Sequence, residues 1–147
     1  MKLAQTIALA ALFMSATACA NPDPVTDSTP DENHSASPSG VVADVDEVTI
    51  SGNSGAYTFA VKLSSPDTGC DQYADWWEVI TPEGVLLYRR ILAHSHVDEQ
   101  PFTRSGGPVS IEANARVIVR AHMNTGGYGG RALEVAPDGS VQQEIAL

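Results

Sequence analysis

Three of the four histidines in this chain stand at positions 94, 96 and 122. Imidazole is the side chain best suited to hold a transition metal near neutral pH. His94 and His96 are two residues apart, so a continuing strand points both rings to one side of the backbone. Two rings on a rigid backbone can share one ion. His122 is then the third ligand, and Cys70, Asp98 or Glu99 completes a tetrahedral or tetragonal shell. Such donors suit Zn or Cu better than Ca. The plainer reading makes the histidines loop residues that only hydrogen-bond, His122 a surface residue beside Arg120, and Cys70 a small buried hydrophobe.

A second group of residues could contact a ligand without metal. Trp76 and Trp77 are adjacent, so in a strand they face opposite ways. With Tyr73 and Val79 taken as core, Trp77 is buried and Trp76 lies outside beside Glu78. An exposed Trp serves carbohydrate or protein contact, unless neighbouring strands cover it. Tyr128 is central in Asn124–Gly130, where four of the last five residues are glycine, and could cover a site. Arg104 falls in the longest expected loop, 94–108. No helix start follows the glycines, so they are not a phosphate loop. There is no Gly-x-Ser-x-Gly elbow, and no local signature makes Cys70 a nucleophile.

The chain ends set the context for these residues. Lys2 precedes an apolar stretch, Ile7–Met14, that is too short to span a bilayer, which takes roughly 20 residues. Residues 1–18 therefore read as an export signal. Residues 19–40 carry four prolines, four carboxylates and no Lys or Arg, the composition of an extended, disordered tether. Residues 41–147 form one domain with room for one core. In it Lys62 and six Arg stand against fourteen Asp and Glu, so nucleic acid, which needs a basic face, is not an expected partner.

The domain reads as strands. Tyr57, Phe59, Val61 and Leu63 alternate with polar or small residues, the pattern of a half-buried strand. Thr81-Pro82-Glu83-Gly84 joins 73–80 to 85–92, and Ala136-Pro137-Asp138-Gly139 joins 132–135 to 141–145. In each, Pro and Gly occupy positions where a tight turn favours them. Strands at 41–50, 116–123 and a short one at 109–111 complete an all-β antiparallel sandwich, with a small barrel as the alternative. Strand direction then gathers loops 66–72, 94–108 and 124–130 at one pole, and both tight turns at the other. Function in sandwiches concentrates on such a loop pole.

Three resemblances bear on these residues. Ala16-Thr17-Ala18-Cys19 resembles a bacterial lipobox, which implies lipid on Cys19 and anchoring in the cell envelope, at the outer membrane or periplasmic face. The same residues fit the Ala-x-Ala rule of ordinary cleavage, which implies a secreted protein and leaves Cys19 able to pair with Cys70. The Trp pair on the third strand resembles the Trp of immunoglobulin-like or fibronectin-like domains, without their inter-sheet disulfide. His94-x-His96, then His122, a glycine run and Gly130-Arg131-Ala132, is similar to copper/zinc superoxide dismutase, without that family's zinc-loop ligands or paired cysteines. The expected protein is an envelope-anchored, non-catalytic binding module with a His-centred loop site for Zn or Cu. The alternatives are a metal-free domain contacting glycan or an envelope protein, and a small metalloenzyme.

Overall fold

The computed structural model describes residues 40–146. The expected export signal, the tether up to residue 39 and Cys19 lie outside the described residues. The described residues form strands and no helix: β1 (Asp44–Asn53), β2 (Ala56–Ser64), β3 (Ala74–Ile80), β4 (Leu86–Ile91), β5 (Phe102–Val109), β6 (Val117–Met123), β7 (Arg131–Val135) and β8 (Gln142–Ala146). They make two antiparallel sheets, ordered β1-β2-β5 and β4-β3-β6-β7-β8.

Period-two alternation builds the core between the sheets. From β2 come Tyr57, Phe59, Val61 and Leu63, and from β6 come Val117, Val119, Ala121 and Met123. Trp77 and Val79 of β3 and Phe102 of β5 close the same cluster. Each large apolar side chain moved from water into this core contributes about 1.5–3 kcal/mol. Trp77 is fully buried, and Trp76 stands on the opposite, outer face of β3, as alternation requires.

The stretch 94–108 is not one long loop. β5 begins within it at Phe102 and runs to Val109, so Arg104 is a strand residue, and the short strand expected at 109–111 is instead the end of β5. Gly106, Gly107 and Pro108 hide this strand, because both residue types are depleted in strands. Packing supplies the reason for Gly106. A Cβ there would lie 2.7 Å from the Tyr88 ring and 3.0 Å from Trp77. Pro108 is tolerated because β5 is an edge strand.

The poles form as strand direction requires. β2 ends, β3 begins, β4 ends, β5 begins and β6 ends at one pole, and the turns at 81–84 and 136–139 lie at the other. β1 begins at the loop pole. The Arg131 backbone N–H, at the start of β7, donates to the Asp44 carboxylate at the start of β1 (2.6 Å).

Candidate functional site

The outer face of the five-stranded sheet carries a polar cluster centred on Glu78, and cross-strand register assembles it. Glu78 of β3 sits opposite Arg89 of β4 on one side and Arg120 of β6 on the other. Trp76, two residues earlier, sits opposite Ile91 and His122. Arg89 donates from Nε (2.9 Å) and Nη2 (2.7 Å) to Oε2 of Glu78. Arg120 donates to Oε1 from Nε (2.8 Å) and Nη2 (2.6 Å). Glu78 is 1% exposed. Burial works against its charge, but hydrogen bonds from Arg89, Tyr128 and Arg120 outweigh burial and hold its pKa below the ordinary carboxylate value.

Aromatic planes frame this carboxylate. His122 stacks on Trp76 at 3.8 Å between ring centroids, and the Arg89 guanidinium lies 4.5 Å from the Trp76 ring centre. These groups come from the strands on either side of β3, so both indole faces are occupied. His122 Nδ1 donates to Asp75 Oδ1 (2.6 Å), which fixes the ring and leaves Nε2 as the second nitrogen. Tyr128 packs edge-on against His122, with the Arg120 guanidinium 3.9 Å from its ring centre.

Tyr128 reaches the sheet because its loop is pinned from behind. A Cβ on Gly126 would lie 1.8 Å from the Val41 carbonyl oxygen, and one on Gly130 would lie 2.1 Å from that of Ala43. Only glycine lets the loop and the entering chain lie this close.

A second group surrounds His96 at the loop pole. His96 is 4% exposed and stacks on Phe102 at 3.9 Å. Asp67 organises the surrounding loops: its carboxylate accepts from the backbone N–H of His96 (2.8 Å), the backbone N–H of Ala74 (3.0 Å) and the Ser65 hydroxyl (2.7 Å). His96 Nδ1 is buried without a hydrogen-bond partner, 3.9 Å from Asp67 Oδ2. Burial, with Arg104 and His94 nearby, lowers the His96 pKa. The His94 ring lies 4.6 Å from that of His96, and its Nδ1 donates to the Ser95 carbonyl (3.0 Å).

The expected site residues thus fall into separate groups. His94 and His96 come together. His122 belongs to the sheet-face cluster with Trp76 and Tyr128. Glu99 pairs with Arg104 (2.6 Å), and Asp98 is exposed on the intervening turn. Cys70 is exposed in the turn between β2 and β3. No three His, Cys, Asp or Glu side chains among the described residues are grouped to hold a metal ion.

One feature escaped the sequence reading. Among the described residues, the large hydrophobic residues that remain exposed are Val85 (59%), Leu86, Leu87, Ile91 (54%) and Val97, all between residues 85 and 97. Most lie on or beside β4, which pairs with β3 along one edge and has no strand on the other. The signal was available: unlike β2, β4 is apolar on both faces, interrupted only by Arg89 and Arg90.

No family model matches the chain, and no solved structure matches it. The chain is 41% identical over 104 residues to a protein of Halomicrobium mukohataei named "Putative lipoprotein", an alignment covering 70% of this chain and 51% of that protein. The chain thus spans about half the length of this relative.

Proposed function

We propose that this chain is an exported protein held in the cell envelope by lipid on Cys19, and that its β-sandwich is a protein-interaction module. The anchor is supported by a Cys that directly follows an apolar segment and precedes an acidic linker. The name of the Halomicrobium relative agrees with it. The interaction reading is carried by one observation, the clustering of the exposed large hydrophobic residues among the described residues on and beside an unpaired sheet edge. Edge strands present unpaired backbone groups, and proteins normally blunt or cover them. Glycan stacking on Trp76 is less favoured, because His122 and Arg89 occupy its faces.

Fatty-acid labelling of the wild type and Cys19→Ser, with membrane fractionation, tests the anchor. Label and membrane association lost together in the variant support it. A mature protein in which the Cys19 sulfur is bound to Cys70 overturns it, because that sulfur then carries no lipid. A photocrosslinker at Leu87, against one at Gln143 on the opposite edge strand, tests the interaction surface. Crosslinks to one defined envelope protein from Leu87 alone support it; equal patterns from both positions sink it.

A second reading puts Zn or Cu on His94 and His96. It is supported by two imidazoles 4.6 Å apart and the unpartnered Nδ1 of His96. Elemental analysis of the chain purified without chelator, beside His94→Ala/His96→Ala, decides it. Near-stoichiometric metal that disappears in the variant supports the reading. No metal after incubation with either ion removes it.

A further inference from the structure

We infer that the open edge of β4 takes an extended acidic segment of a partner protein as an added strand, with two adjacent carboxylates recognised by Arg89 and Arg90. This rests on the interaction reading above and names the chemistry of the partner.

The backbone comes first. β4 bonds only to β3, so its other edge offers N–H and C=O groups to an incoming strand, as in β-strand addition generally. β5 passes nearby in the other sheet, but it bonds to β2, and Tyr88 fills the space over Gly106 between them.

Side chains then set the sequence that fits. Tyr88, Arg89, Arg90 and Ile91 of β4 alternate between the two faces of the sheet, and a bulge at Leu87 breaks the register before them. Ile91 and Arg89 are in register with Trp76 and Glu78 and share the outer face with them, whereas Arg90 is in register with Trp77 and lies on the other face. An added strand repeats this alternation. It therefore meets Arg89 and Arg90 with consecutive residues on opposite faces, and only a pair of adjacent acids satisfies both. Its residues facing Ile91 and Leu87 meet exposed apolar surface. Read antiparallel to β4, the matching segment is Leu-Glu-Glu-Thr-Val, facing Ile91, Arg90, Arg89, Tyr88 and Leu87 in that order.

Charge selects this occupant over a second copy of the chain. Arg89-Arg90 is the single adjacent pair of cations in a sequence of net charge −10. β4 itself contains no carboxylate. Two paired β4 strands would bring four guanidinium groups to one seam with no acid from either strand, and like charges across strands are destabilising. In the outer cluster Arg89 and Arg120 share one carboxylate, Glu78. Glu78 holds Arg89 from Nε and Nη2, so the cation is positioned before a partner arrives, and its side chain is still 37% exposed.

The test is an NMR titration of the full mature chain with a capped peptide, Thr-Leu-Glu-Glu-Thr-Val-Thr. Comparison peptides carry Gln for both Glu, carry Lys for both Glu, or are N-methylated at alternate backbone amides. Expected are amide shifts confined to β4 and its neighbours and affinity weaker by roughly tenfold or more for the Gln peptide, the scale of one charge-assisted contact. The Lys and N-methylated peptides are expected not to bind, and Arg90→Ala to lower affinity for the acidic peptide part of the way to that for the Gln peptide, because Arg89 keeps its carboxylate. Equal binding of the Gln and Glu peptides overturns the acidic preference and leaves strand addition standing. Binding that survives N-methylation, shifts away from β4, or no binding by any peptide overturns strand addition itself. A chain that sediments as a dimer and becomes monomeric as Leu87→Lys overturns the proposal in favour of a second copy.

Discussion

The Tyr128 hydroxyl donates to Oε1 of Glu78 at 2.8 Å, so a loop residue closes over a carboxylate at the centre of a sheet face. The Tyr128 hydroxyl oxygen itself accepts from Trp76 Nε1 at 3.0 Å. One phenol thereby joins the glycine loop, the buried acid and the exposed-side tryptophan. Tyr128→Phe is expected to cost about 1 kcal/mol, the net worth of the lost hydrogen bonding. Glu78→Gln is expected to cost more, about 2 kcal/mol, because one side of the amide presents N–H groups to a guanidinium. The cost stays moderate because Arg89 is 37% and Arg120 25% exposed, and water takes over part of their solvation. Urea unfolding of the three chains ranks them; a Glu78→Gln midpoint at or above that of Tyr128→Phe contradicts the assignment of Glu78 as the hub.

Gly126 and Gly127 are adjacent but should respond differently to alanine. At Gly126 the new Cβ meets the Val41 carbonyl oxygen at 1.8 Å, so loop and entering chain must separate, at an expected cost of at least about 2 kcal/mol. At Gly127 the Cβ enters open space, and only the positive φ of 70° is strained, for about 1 kcal/mol. Thermal unfolding separates the two, and Gly126→Ala should also shift the Tyr128 resonances.

His96 makes stability depend on pH. Burial holds its imidazole below the ordinary value of 6.5, Arg104 and His94 push the same way, and Asp67 and Glu99 oppose them. Below about pH 6.5 the unfolded chain takes up the proton before the folded chain does. Stability is therefore lost as pH falls from about 6.5 toward the lower folded value, and levels off beneath it. His96→Phe removes the titrating group and keeps an aromatic ring against Phe102, so its stability should vary less over this interval. An unchanged slope in the variant assigns the pH dependence elsewhere.

Leu87→Lys should separate binding from folding. Leu87 is 38% exposed on an edge, so stability should change by no more than about 0.5 kcal/mol. The same change places a cation where an apolar contact is proposed, and crosslinking to a partner through neighbouring Ile91 should fall. A large loss of stability instead makes Leu87 a structural residue.

The sequence made the sheets legible where alternation was strict. Tyr57–Leu63 and Val117–Met123 could be read directly, as could the inward Trp77 and outward Trp76. β5 was hidden because Gly106 answers to the Tyr88 and Trp77 rings of the facing sheet, a requirement no local window contains. His94 and His96 were legible as neighbours because two residues separate them. The Trp76–His122 stack depends on the β3–β6 register, which sequence spacing does not encode. Glu78 was the hardest to see. A carboxylate in a strand reads as solvated until three donors from three segments are found around it.

The chain enters the sandwich beside the Gly126–Gly130 loop, at the pole where β1 begins. With Cys19 in a bilayer, the 21 residues to Gly40 allow a separation of at most about 75 Å, the reach of a fully stretched chain. A domain hung from that pole under tension points its long loops at the membrane and its tight turns away from it. The strands then run along the membrane normal, and the open side of β4 faces sideways, parallel to the lipid plane. A neighbouring envelope protein can approach that side laterally, at any height the leash permits, without passing between the domain and the membrane.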